Sequence, residues 1–174
     1  MKIAVIGYSG SGKSTLAAKL AERHGVPLLH LDRVQFLPGW QERTREEKIK
    51  IVADFLDGND AWVIDGNYSS VLQDRRLQEA DRIIFMNFNR VSCFFRALRR
   101  YRKYKGTSRS SVGEGCPEKL DREFLRQLLF KGRKRSKRLL FKGICQRFSD
   151  KVEVLRNQRE LEKFEKKEGL PCGW

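Results

Sequence analysis

Lys13 and Ser14 close the stretch Gly7-Tyr8-Ser9-Gly10-Ser11-Gly12-Lys13-Ser14, which fits the pattern G-x-x-x-x-G-K-[ST] without a mismatch. Glycines at 7, 10 and 12 open backbone conformations closed to side-chain-bearing residues. Successive N–H groups from Gly7 through Ser9 and Ser11 to Thr15 can therefore turn toward phosphate oxygens. Lys13 adds a point charge for β- and γ-phosphates, and Ser14 adds a hydroxyl able to ligate Mg²⁺. A helix beginning there aims its positive end at the same anion. A dinucleotide-binding turn is the rival reading, with Asp32 near the spacing of a ribose ligand. The glycines, however, read G-x-x-G-x-G and a lysine follows the last one, so the chemistry expected is triphosphate binding.

Two carboxylates are candidates for acting beside that loop. Leu28-Leu29-His30-Leu31-Asp32 reads as a short strand with Asp32 at its carboxyl end, where ligands bind in open α/β sheets. Ala61-Trp62-Val63-Ile64 reads as another, closing on Asp65-Gly66-Asn67, with Gly66 permitting close approach of backbone and ligand. Between them Arg33 to Arg43 reads as a loop turning at Pro38-Gly39. Its Arg33, Trp40 and Arg43, together with Asp65, Gly66 and Asn67, are candidates for contacting an acceptor. His24 and His30 read as a helix end and a buried strand position rather than as catalytic groups.

These residues need a scaffold, and the chain alternates strand and helix in the way that supplies one. Lys2–Ile6 reads as a buried strand, 13–24 as a helix ended by Gly25-Val26-Pro27, and Thr44 with Glu47 as the capping box of a helix to about Leu56. A helix over 69–78, strands at 82–88 and 151–155, and a last helix from 160 to 167 follow, with 169–174 expected to be disordered. At 174 residues the chain suits one domain over 1–174. No apolar run reaches membrane-spanning length and no signal segment is evident, which points to the cytoplasm. Four widely spaced cysteines argue against zinc or a disulfide framework.

The net charge is +15, and nearly all of the excess lies in one segment. Residues 90–142 carry 18 basic against 4 acidic side chains, whereas 1–89 carry 12 of each. That segment reads as helices over about 93–104, 118–130 and 134–148 with a mobile loop at 105–117, a basic helical insertion at about 91–148. Arg96, Arg99, Arg100 and Lys103 share one helical face and could converge on an anion, whereas Arg102 points elsewhere. A basic insertion suits first a lid over a transferring phosphoryl group, with a surface neutralising nucleic-acid phosphates as the runner-up and a solvated face as the third reading.

The phosphate loop, Leu29-His30-Leu31-Asp32, Pro38-Gly39-Trp40, Ile64-Asp65-Gly66-Asn67-Tyr68 and Gly113-Glu114-Gly115-Cys116-Pro117 together resemble the bacterial DNA-topology-modulation proteins of the FlaR type. These are similar to adenylate, shikimate and gluconate kinases. The resemblance implies an α/β P-loop three-layer sandwich, a five-stranded parallel sheet of order 2-3-1-4-5, a helical lid insertion, ATP as donor and Mg²⁺ as cofactor. It places catalytic roles on Lys13, Asp32, Arg96 and Arg100, and puts Arg156 and Gln158 beside the adenine. Asp65-Gly66-Asn67-Tyr68 stands where adenylate kinases carry Asp-Gly-Phe-Pro-Arg, which speaks against a nucleoside monophosphate acceptor. The resulting expectation is an Mg²⁺-dependent phosphotransferase, with a nucleotide-dependent DNA-binding protein as the alternative.

Overall fold

The computed structural model describes residues 1–107, 111–113, 115–117 and 120–171. Glu114 of the glycine-rich motif, the expected helix start at 118 and the tail from 172 lie outside them. The chain begins β1 (Lys2–Gly7), α1 (Lys13–His24), β2 (Leu28–His30), α2 (Leu31–Gln35), a hairpin of β3 (Phe36–Leu37) and β4 (Gln41–Glu42), and α3 (Arg45–Asp57). It continues through β5 (Trp62–Asp65), α4 (Gln73–Glu79), β6 (Arg82–Met86), α5 (Arg90–Tyr104), α6 (Arg122–Leu129), α7 (Arg135–Arg147), β7 (Val152–Leu155) and α8 (Gln158–Lys167).

Five strands form a parallel sheet in the order β2-β5-β1-β6-β7. Counted among sheet strands alone this is 2-3-1-4-5; the hairpin only shifts the labels. The order explains the sequence of β1, which is apolar at consecutive positions instead of alternating. Ile3, Ala4, Val5 and Ile6 are all at most 1% exposed, so both faces of this central strand are covered by helices. Register then decides the chemistry, because Asp65 stands beside Val5 of β1 on one side and His30 of β2 on the other. The end of β5 is thereby placed next to the turn leaving β1.

Three expectations are corrected. The second strand stops at His30, and Asp32 lies in α2, whose helical path runs straight into the hairpin. Helix α4 begins at Gln73, not Ser69, because Arg76 turns back to donate to the carbonyls of Tyr68 and Val71 at 2.7 and 2.9 Å, holding 68–71 as an open loop. The start of the tail is ordered: Leu170 is buried and Lys19 donates to the Pro171 carbonyl at 2.7 Å. The capping box at Thr44 and Glu47 forms as expected. Among the described residues no helix is long and apolar enough to cross a membrane.

Candidate functional site

The loop from Gly7 to Ser14 joins β1 to α1, and no side chain caps the first turn of α1. Its leading amides therefore remain available to an anion, as the sequence requires of them. Ser11 is fully buried and its Oγ has no hydrogen-bond partner among the described residues. Lys13 Nζ donates to the Tyr8 carbonyl at 3.1 Å, folded along the loop it serves. Gly10 has φ +76°, and a Cβ there would sit 2.6 Å from the Cys93 carbonyl oxygen, so α5 presses directly against the loop. Asn67 ties the other end: its Oδ1 accepts from the Gly7 N–H at 2.9 Å and its Nδ2 donates to the Gly7 carbonyl. Asn67 lines the cavity, but its amide is committed to this clamp. Two hydrogen bonds at about 1 kcal/mol each predict that Asn67→Ala lowers stability by about 2 kcal/mol and weakens nucleotide binding, readable by denaturant melts and ATP titration.

Asp65 is the carboxylate that closes on the loop. Its Oδ2 lies 3.1 Å from His30 Nδ1, both groups buried, while its Oδ1 has no hydrogen-bond partner among the described residues. Burial drives the Asp65 carboxyl upward, but the His30 hydrogen bond, the Lys13 ammonium and the Ser14 hydroxyl outweigh it and hold its pKa below the ordinary value. An ionised carboxylate accepts only, so His30 Nδ1 carries the proton and donates. His30, passed over in the sequence as a buried strand residue, thus orients Asp65; the pairing is visible only once β2 and β5 are in register.

A buried, partnerless carboxylate oxygen with the Ser14 hydroxyl nearby fits a hard cation held by one or two protein oxygens and substrate phosphates, the usual Mg²⁺ arrangement.

Asp32 lines the same cavity and accepts from the Tyr68 hydroxyl at 2.8 Å. Burial and the Asp32 charge push the Tyr68 phenol far above its normal range, so it stays a donor. Buried Arg76, lowered to about 10 by desolvation, secures the loop carrying Tyr68.

The cavity is large, about 1070 Å³. From α5 it is lined by Arg96, Arg99, Arg100 and Lys103 but not Arg102, the face expected from their spacing. Arg96 donates to the Ser11 carbonyl at 2.8 Å and to Gln158 Oε1, and lies 4.0 Å over the Phe88 ring. Burial lowers it to about 10, which leaves it cationic at neutral pH. Tyr8 is packed edge-on against Phe141 of α7 and carries Arg133 3.8 Å over its ring, so the basic insertion grips the loop from a second side.

Other candidates stand elsewhere. Arg43 Nη1 donates to the carbonyls of Arg33, Val34 and Phe36 at 2.6, 3.1 and 3.2 Å, closing the α2–hairpin segment and not facing the cavity. Arg33 is exposed outside it, and Trp40 packs edge-on to Phe36 at 5.1 Å. Arg156 is exposed beside Glu160 and does not line the cavity, whereas Gln158 does. Gly66 lines it, yet its close approach is to Leu31, whose Cβ would meet an added Cβ at 2.7 Å at φ +136°.

The isopentenyl transferase family model matches residues 1–41, which span β1, the loop, α1, β2, α2 and the start of the hairpin. No curated protein matches the chain. The match supports the P-loop part of the resemblance and does not extend to the DNA-topology-modulation proteins. With the sheet order it supports a P-loop NTPase-like α/β fold with a phosphate-binding loop for this chain.

Proposed function

We propose that the protein is an ATP-dependent phosphotransferase acting on a small hydroxyl-bearing acceptor. The observation that carries this reading is that four α5 cations line the same cavity as the phosphate loop and the carboxylates of Asp32 and Asp65. The loop amides, Lys13 and Arg96 hold the triphosphate. Ser14 and Asp65 would hold Mg²⁺, which supplies charge neutralisation at the β- and γ-phosphates when bound. Asp32, steadied by Tyr68, orients the acceptor hydroxyl and takes its proton as the acceptor oxygen bonds to the γ-phosphorus. The bond to the β,γ-bridging oxygen breaks and ADP leaves. Arg99, Arg100 and Lys103 stabilise charge on the moving group, and excluded water strengthens those contacts.

Removing the Tyr68 hydroxyl tests the Asp32 assignment. Tyr68→Phe should lower turnover about fivefold, the worth of one hydrogen bond, with the ATP KM unchanged; a raised ATP KM at unchanged turnover would put Tyr68 on the donor side.

The nucleic-acid alternative rests on basic residues turned away from the cavity, among them the exposed Arg102, Arg122, Arg126, Arg138 and Lys142. It predicts duplex binding whose affinity falls steeply with salt, each substitution reducing the slope by about one unit.

A further inference from the structure

The four most exposed large apolar side chains among the described residues are Val91, Phe130, Phe95 and Leu139, at 64, 63, 61 and 56%. Single apolar side chains on a surface are ordinary, but here the most exposed ones all fall in the most highly charged part of the chain. Residues 90–107 carry seven cations and residues 124–147 carry nine, and neither stretch contains a carboxylate. Arg96, Arg99, Arg100, Lys103 and Lys137 line the cavity. Arg90, Arg102, Lys134 and Arg135 are exposed outside it.

Val91 and Phe95 are one turn apart on α5, each two residues from Cys93, which is buried. A Cβ added to Gly10 would meet the Cys93 carbonyl oxygen at 2.6 Å and Leu128 Cδ1 at 3.2 Å, so the first turns of α5 and the last turn of α6 both rest on the phosphate loop. At 3.6 residues per turn Val91 and Phe95 stand on the side of α5 away from that contact, with half-buried Leu98 and exposed Arg102 continuing the row. Phe130 directly follows α6. The Arg133 N–H donates to the Phe130 carbonyl at 3.0 Å, while the Arg133 guanidinium donates to the Phe88 carbonyl and lies 3.3 Å from Cys93 Sγ. Phe130 is thereby held at the end of the insertion that carries Val91 and Phe95, with Lys134 and Arg135 just beyond it.

We propose that this end of the insertion docks the protein on an anionic phospholipid surface. Val91, Phe95 and Phe130 enter the boundary between headgroups and acyl chains, and Arg90, Arg102, Lys134 and Arg135 meet the lipid phosphates. Apolar tips set among cations suit that boundary, where the tips leave water and the charges stay with the headgroups. A second copy of the chain would set like charge against like charge. The core of a protein–protein interface is depleted in charge, lysine included. A nucleic acid would use the cations, but aliphatic Val91 offers a base no stacking surface, and the Phe95 ring already packs edge-on to Phe94 at 5.5 Å. None of this depends on the phosphotransferase reading.

The test is co-sedimentation of the whole chain with vesicles of phosphatidylcholine alone and with vesicles of an equal mixture of phosphatidylcholine and phosphatidylglycerol. The protein should bind the mixed vesicles and not the neutral ones, with an affinity that falls as salt rises. Phe95→Ser and Phe130→Ser should each weaken binding about tenfold by removing a ring from the lipid, and Arg90→Ala and Arg102→Ala about fivefold each. Melting curves and ATP affinity of all four variants should match the parent, because these side chains are exposed and do not line the cavity. Parent-like vesicle binding by the two serine variants would leave charge alone acting and would overturn the docking site, as would equal binding to both kinds of vesicle or binding to neither. Loss of single-stranded DNA binding in the same two variants, with vesicle binding unaltered, would give this face to nucleic acid instead.

Discussion

Replacing Lys13 by alanine is expected to abolish turnover and to weaken ATP binding by at least 100-fold. No other side-chain cation is built into the loop, and Arg96 is already engaged with Ser11 and Gln158. A buried charge contact to phosphate contributes several kcal/mol when water is excluded, and more as charge moves toward the leaving oxygen. The fold should survive, because Lys13 makes one hydrogen bond, to the Tyr8 carbonyl. Circular dichroism melts of Lys13→Ala should therefore overlay the parent while calorimetry loses the nucleotide. Parent-like ATP affinity with parent-like turnover would remove the loop from the mechanism.

The second large effect separates the two carboxylates. Asp65→Asn should abolish the Mg²⁺ dependence of ATP binding, because it removes the anionic oxygen beside Ser14, and should lower turnover at least 100-fold. Asp32→Asn should leave Mg²⁺-dependent ATP binding intact and cut turnover about 10²–10⁴-fold, the usual contribution of a positioned base. Titrating ATP with and without Mg²⁺ on both variants checks the assignment, and interchanged phenotypes would reverse it. A pH signature accompanies Asp65. Its pKa is lower in the folded protein, so the stability it contributes is complete above the unfolded value of about 3.9 and is lost as pH falls through the folded value. Acid unfolding of Asp65→Asn should accordingly be shallower below about pH 4 than that of the parent.

The phosphate loop and the cationic face of α5 were legible because both are local. One is a contiguous pattern, and the other follows from 3.6 residues per turn, which brings positions 96, 99, 100 and 103 to one side and turns 102 away. What the chain does not display locally was misplaced. Asp32 reads as a strand end, yet β2 stops at His30, and the carboxylate that meets the loop is Asp65. Only the sheet order, which puts β5 between β2 and β1, makes His30 and Asp65 neighbours. Arg43 looks like an acceptor ligand by charge and position, but it spends its guanidinium on three backbone carbonyls of the α2–hairpin turn. Arg76 sits in the run expected as a helix over 69–78, and its burial follows from its hydrogen bonds to the carbonyls of the 68–71 loop. The order at Leu170 and Pro171 depends in part on Lys19 of α1, 152 residues before Pro171, and no periodicity in the tail announces it.

The central claim is that the γ-phosphoryl group leaves ATP for an acceptor hydroxyl, and tracing label from two positions of ATP tests it most directly. The protein would be incubated with Mg²⁺, a panel of small hydroxyl-bearing acceptors and ATP labelled in either the γ- or the α-phosphate. The account predicts that the γ label moves to the acceptor while the α label remains in ADP, and that Lys13→Ala does neither. Transfer of the α label, or consumption of ATP with both labels still on one product, would contradict it.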